Sequence, residues 1–193
     1  MNKVVDVDSF YKKIYYLKIL SKFRVNIIVK DKKREYQNSS VKHPDKIDEI
    51  LKMVNILNTH KRKDRYSLIY DYACDYLDNE FLNNNWCDFK KNMCISNRNK
   101  PEEYQVGSCC TRTANRETCH YFDDTKKRCS IRCLSCKFFV CRYLESHGIK
   151  YRVKDIPYLK YFLSLRQKLF ARISFFRTKE EIISDWLKFY KLP

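Results

Sequence analysis

Glycine is nearly missing from this chain: Gly107 and Gly148 are the only two in 193 residues. Nucleotide-binding loops need clustered glycines, because the backbone there approaches a phosphate more closely than a Cβ allows. Two isolated glycines cannot build G-x-G-x-x-G or G-x-x-x-x-G-K-[ST], so Rossmann and P-loop chemistry is excluded. Proline is scarce too, with four residues. No stretch approaches the roughly 18 consecutive apolar residues of a membrane span. The opening residues, Met1 to Asp8, meet charge before any apolar signal region can form, so no signal peptide is expected. These absences predict a chain that stays in a reducing cytoplasm, where clustered cysteines bind metal more often than they pair.

What the chain has in excess is positive charge and sulfur. Its formal net charge is +17. A balance of that size calls for a polyanion, meaning nucleic acid, an acidic protein or an anionic surface. Codon drift offers a plainer account, because Lys, Asn, Ile and Tyr are all abundant, as in an AT-rich genome, and scattered lysines make no site. Apolar residues make up 44% of the chain, enough for one domain with a substantial core.

Periodicity predicts a mainly α protein: a helical body around a central, irregular, Cys-rich, metal-ordered module. Three regions are expected. Residues 1–93 form an N-terminal helical part, 94–148 the module, and 149–193 C-terminal helices that pack back on the first part as one domain. After Asp8-Ser9, the residues Phe10, Ile14, Leu17 and Leu20 or Ser21 recur at helical spacing, with Lys12, Lys13, Lys18 and Lys22 on the wet side. Val25 to Val29 reads as a strand or as a continuation of that helix. Pro44-Asp45 opens a second helix with Ile47, Ile50, Leu51, Val54 and Leu57 on one face. His60 to Lys63 ends it, either as cations favoured by the helix dipole or as a nucleic-acid patch. A third helix runs from Asp64 to about Leu82, and Cys74 within it reads as core filling. Lys137 to Ser146 is expected helical, stopped by Gly148. Ile156-Pro157 starts a helix whose apolar face includes Leu159, Phe162, Leu163, Leu165, Leu169 and Phe170. Thr178 to Glu181 forms a capping box ahead of Ile182, Ile183, Trp186, Leu187 and Tyr190.

Seven of the ten cysteines fall between residues 109 and 141. The candidate metal ligands are Cys109, Cys110, Cys119, Cys129, Cys133, Cys136 and Cys141. Ligands two to four residues apart can converge on one ion because the intervening turn closes to the required bite, and the second half of the module does so three times. Either structural zinc or a [4Fe-4S] cluster suits such thiolates. C-x3-C-x2-C at Cys129, Cys133 and Cys136 also occurs in radical S-adenosylmethionine enzymes, but too little chain follows Cys136 for their barrel. Arg98, Arg112, Arg116, Arg128, Arg132 and Arg142 lie in or beside the module, where guanidinium groups favour thiolates or contact phosphate. Among the histidines, His43 and His60 read as solvated, His120 as a candidate zinc ligand and His147 as a cation at a helix end.

Cys109-Cys110, Cys119-His120-Tyr121-Phe122, Cys129-Ser130-Ile131, Cys133-Leu134-Ser135-Cys136-Lys137 and Cys141-Arg142-Tyr143 together resemble the Cys-rich family described as zinc- or iron-chelating, with its CxxCxxCC run. The resemblance covers less than a quarter of the chain and departs from the pattern, since no cysteine stands three or six residues before Cys109. It implies metal binding without a settled activity, although some members of that family are similar to protein lysine methylases. The leading expectation is a protein that holds an iron-sulfur cluster or zinc through its clustered cysteines. A zinc-stabilised nucleic-acid-binding or regulatory protein, and an iron-sulfur redox or group-transfer enzyme, stand as alternatives.

Overall fold

The computed structural model describes residues 1–30, 44–90, 93–102, 121–123, 125 and 128–190. Its opening is a β-α-β unit. Strand β1 (Asn2–Asp6) is followed by a 3-10 turn over Val7–Ser9, helix α1 (Phe10–Lys22) and strand β2 (Asn26–Lys30). The two strands pair in parallel, Val4 opposite Ile28 and Val5 opposite Val29. The β-branched run after α1 is therefore a strand, and its partner is the amino-terminal segment. Two local features make the reversal. Arg24 takes a positive φ of 56° just after the helix, a conformation that turns the chain but suits few non-glycine residues. Asn58, at the end of the next helix, then fastens the far edge of β2: its Oδ1 accepts from Ile27 N at 2.8 Å and its Nδ2 donates to Ile27 O at 2.9 Å.

Helices α2 (Pro44–Asn58) and α3 (Arg62–Asn83) follow. The face α2 buries carries Ile50, Met53, Ile56 and Leu57, while Leu51 is exposed, so the helix is rotated relative to the expected face. Helix α3 is the hub: it buries Tyr66, Ile69, Tyr70, Ala73, Cys74 and Leu77 and packs against α2 and three later helices. The basic run His60 to Lys63 does not end α2. Lys61 is the N-cap of α3, and Arg62 and Lys63 open its first turn, where the helix dipole opposes rather than favours cations.

Beyond α3 come the four-residue helix α4 (Ile95–Arg98), a two-residue antiparallel pair β3 (Phe122–Asp123) and β4 (Arg128–Cys129), then α5 (Leu134–Lys137) and α6 (Arg142–Ser146). The helix expected from Lys137 to Ser146 is thus split, with Phe138 to Cys141 non-helical between α5 and α6. Gly148 does sit just past the end of α6 with φ +79°, the left-handed residue that closes a helix. The last three helices are α7 (Pro157–Phe162), α8 (Leu165–Ile173) and α9 (Lys179–Tyr190). The single apolar helix expected after Pro157 breaks at Ser164, which caps α8. Leu165 and Leu169, expected in the core, are 84% and 61% exposed.

One apolar cluster draws on both ends of the chain, from Val5, Phe10 and Leu17 through the α2 and α3 residues to Ile156, Leu159, Ile182, Ile183 and Trp186. Leu134, on α5, joins it from inside the Cys-rich region. The molecule is mainly helical, as expected, and among the described residues no helix is long and apolar enough to cross a membrane.

Candidate metal centre

Core helices hold the turn Cys133-Leu134-Ser135-Cys136 of the Cys-rich region on two sides. From α3, the Tyr70 hydroxyl donates to Arg132 O at 2.6 Å and accepts from Leu134 N at 3.1 Å, so it grips the backbone immediately before and after Cys133. Burial pushes the Tyr70 phenol above its usual pKa, which keeps it a donor. Also from α3, Asp75 pairs with Arg132 Nη1 at 2.6 Å, Asp71 with its Nη2 at 3.4 Å, and Asp78 with Lys137. Burial works against the Arg132 charge, but the Asp75 bond and the nearby charges of Asp75 and Asp71, with that of Cys74, together outweigh it and the guanidinium pKa rises. From α8, the Ala171 carbonyl accepts from Ser135 Oγ at 2.7 Å; just past its end, the Ser174 carbonyl accepts from Cys133 Sγ at 3.6 Å. Both Cys133 and Cys136 are buried.

Three cysteines share one local role. Cys94, Cys133 and Cys141 are the N-cap residues of α4, α5 and α6, all extended in backbone conformation and none making a side-chain capping bond. N-caps are ordinarily Ser, Thr, Asp or Asn, whose oxygen accepts from the first turn. A thiol is a weak acceptor, so capping does not explain cysteine at all three. Cys136 lies three residues after the α5 N-cap, the position whose side chain normally reaches back toward the cap residue.

The α4 and α6 turns lie side by side. Asn99 Nδ2, at the end of α4, donates to the Tyr143 hydroxyl on α6 at 2.8 Å. Before α4, Lys90 bridges Met93, and Ile95 N donates to Cys87 O at 2.8 Å. Arg98 donates to the Asp88 carboxylate and to Asp88 O, both at 2.6 Å. That bond to Arg98 holds the Asp88 carboxyl below the usual carboxylate range. His147, at the end of α6, lies 4.3 Å ring to ring from Tyr143 and contacts Tyr143 O through Nδ1 at 2.7 Å.

Of the predicted ligands, the structure places Cys133, Cys136 and Cys141 and gives the backbone of Cys129 in β4. Cys109, Cys110 and Cys119, and the candidate ligand His120, lie outside the described residues. Among the described residues, no three His, Cys, Asp or Glu side chains converge as a metal site would require. Cys74, Cys87, Cys94, Cys133, Cys136 and Cys141 carry thiols. Burial pushes the Cys74 thiol up to about 12, consistent with its reading as core filler. Arg98 and Arg132, expected to favour thiolates or contact phosphate, are bonded to the carboxylates of Asp88 and Asp75. Sequence reasoning begins the module at residue 94 but leaves Cys94 out of the ligand set, and it passes over Tyr70. Cys94 stands at the start of a polar stretch, and nothing in residue 70 by itself announces a grip on residues 132 and 134.

Comparison with protein-family models, with curated proteins and with solved structures finds no match to this chain.

Proposed function

We propose that the chain is a metal-binding protein in which cysteines of the 94–141 stretch hold zinc or an iron-sulfur cluster and thereby order the region between α3 and α7. The placement of Cys94, Cys133 and Cys141 at the starts of three short helices supports the reading most directly. Helices of four or five residues do not hold themselves in water. Thiolate-metal bonds would fasten their starts, at the scale of roughly 10 kcal/mol seen for structural zinc. Sulfur donors of this kind suit zinc and iron-sulfur chemistry above harder ions. Cys133 and Cys136 are the pair on which the proposal commits itself, because α3 and α8 fix their backbone. Ligation would require Cys133 to lose its proton, and with it the contact to the Ser174 carbonyl.

The test is anaerobic purification with metal analysis and a visible spectrum. Colourless protein with one or two zinc ions per chain would identify zinc, whereas visible absorbance with about four irons would identify a cubane cluster. Cys133→Ser and Cys136→Ser should each lose metal, while Cys74→Ala should retain it. Tyr70→Phe should cost about 1–3 kcal/mol of stability by leaving Arg132 O and Leu134 N unmatched, and it should weaken metal retention too. Metal-free protein with unchanged melting would sink the reading.

A further inference from the structure

Drift in base composition scatters lysines over a surface, but this fold gathers them. Residues 9–30 carry six cations and no carboxylate, and so do residues 156–179. The two segments meet where α1 lies against α7. There Lys18 Nζ donates to Tyr161 O and Lys168 Nζ to Lys160 O at 2.8 Å. Lys22 and Lys168 stand close enough to Lys18 to depress its pKa, as burial does first and Arg65 does last; Lys168 is depressed by its own burial and by Lys160. Cations from three separate parts of the chain therefore repel one another at one junction. Lys61, Arg62 and Lys63 add charge at the start of α3, the end of a helix where the dipole disfavours it. Three carboxylates farther along α3 are already paired, Asp71 with Lys179 and Arg132, Asp75 with Arg132, Asp78 with Lys137, while Asp64 is the one acid in the first turn beside Lys61 to Lys63.

Aromatic rings are set among these ammonium groups. Lys18 Nζ lies 5.8 Å from the Tyr15 ring centre and 5.9 Å from that of Phe162, and Lys160 Nζ lies 5.0 Å from that of Tyr161. Tyr15 meets Tyr161 edge to face at 6.1 Å. The outward face of α1 continues the pattern, with Tyr15 64% exposed, Tyr16 half exposed and Phe23, just past its end, 75% exposed. A core-facing helix needs no such rings on its wet side. Each ammonium has three donors, and one carbonyl bond apiece leaves Lys18 and Lys168 two with which to meet phosphate oxygens.

We propose that the face built by α1, the start of α3 and the α7–α8 junction binds single-stranded nucleic acid, its lysines on the phosphates and its exposed tyrosines under the bases. Alternating cations and open rings are the composition such strands require, since the groove follows the backbone charge and every base has a stacking face. The proposal does not depend on the metal reading, because none of its residues is a cysteine.

The experiment is fluorescence anisotropy of the full chain with labelled oligo(dT) of about 16 nucleotides over a range of salt. The double variant Lys22→Gln/Lys168→Gln should bind at least about fivefold more weakly, with a salt slope shallower by about 1.4, or about 0.7 per phosphate contact. Tyr15→Ala should weaken binding by about fivefold or more. The double variant Lys150→Gln/Lys188→Gln removes equal charge where the ammoniums pair with Glu145 and Asp185, and it should bind as the wild type does. Because Lys168 also holds an α7 carbonyl, the exposed Lys22→Gln alone provides a variant that keeps the fold, and circular dichroism verifies it. No binding at low salt would overturn the proposal. Equal loss in both double variants would do the same, reducing the effect to net charge. Tighter binding to duplex, or binding to phosphatidylserine vesicles but not to the oligonucleotide, would reassign the face.

Discussion

Asp185 shows how much a single position depends on partners two turns back and one turn ahead. Its carboxylate takes Arg177 Nη1 at 2.5 Å and Lys188 Nζ at 3.0 Å. Burial alone would raise its pKa, but the bonds to Lys188 and Arg177 outweigh that and hold it below the usual value of 3.8. A carboxyl whose pKa is lower folded than unfolded stabilises fully above its unfolded pKa, and the contribution fades as pH falls through the folded one. The melting temperatures of the wild type and Asp185→Asn should therefore differ near neutral pH and converge in acid below about pH 3.8. A gap that stays constant into strong acid would mean that the two cations contribute nothing at this site. Pairings of this kind are illegible in a sequence, because Lys188 is visible at helical spacing while the approach of Arg177 depends on how the chain enters α9.

At the scale of elements, Gln167 decides where one helix stops and the next begins. Ser164 and Gln167 form a capping box, Ser164 N donating to Oε1 at 2.9 Å and Gln167 N to Ser164 Oγ at 3.4 Å. The same buried amide donates through Nε2 to the Tyr66 hydroxyl and to Trp186 O, both at 2.8 Å, which ties α8 to α3 and α9. Gln167→Leu keeps the bulk and removes every bond, so it should cost more than about 2 kcal/mol, since unmatched buried groups lose roughly 1–3 each. Ser164→Ala removes only the cap and should cost about 1 kcal/mol; equal losses in urea titrations would show that the network carries no weight. This device also explains what was legible. The apolar spacing of α1 and the Thr178–Glu181 capping box, whose two bonds form at 2.9 and 3.3 Å, are local signals and could be read directly. The break at Ser164 was hidden because Leu163, Leu165 and Leu169 look like one continuing apolar stripe. Strand β1 was hidden because a five-residue strand with polar ends declares itself only through its partner, β2. In the candidate centre, the cysteine spacing was visible, but the clamps on the Cys133–Cys136 turn come from α3 and α8, about 60 and 40 residues away.

Across the whole molecule, the apolar cluster and the cysteine stretch are joined chiefly through α5. Leu134 enters the core beside α3 and α8, whereas Cys94, Val140 and Leu144 are buried outside that cluster. Among the described residues, the largest fully buried side chains, Trp186, Tyr70, Phe10, Ile14, Leu17 and Ile27 among them, lie in α1, α2, α3, α9 and β2 and not in the stretch between α3 and α7. Each such burial contributes about 1.5–3 kcal/mol, so the helical body should hold together on packing alone. Among the described residues, α4 buries only Asn97 and α6 only Leu144, and both turns would depend on metal under the proposed function. Hydrogen exchange before and after chelation separates these contributions, because it reports opening segment by segment. Removing metal should accelerate exchange across residues 93–102 and 138–148, leave α3 and α9 protected, and produce an intermediate effect in α5, which Tyr70, Ser135 and Lys137 still anchor. Loss of protection in α3 and α9 to the same degree would mean that the core cannot stand without the metal, and that the clamps on the Cys133–Cys136 turn transmit its loss through the whole fold.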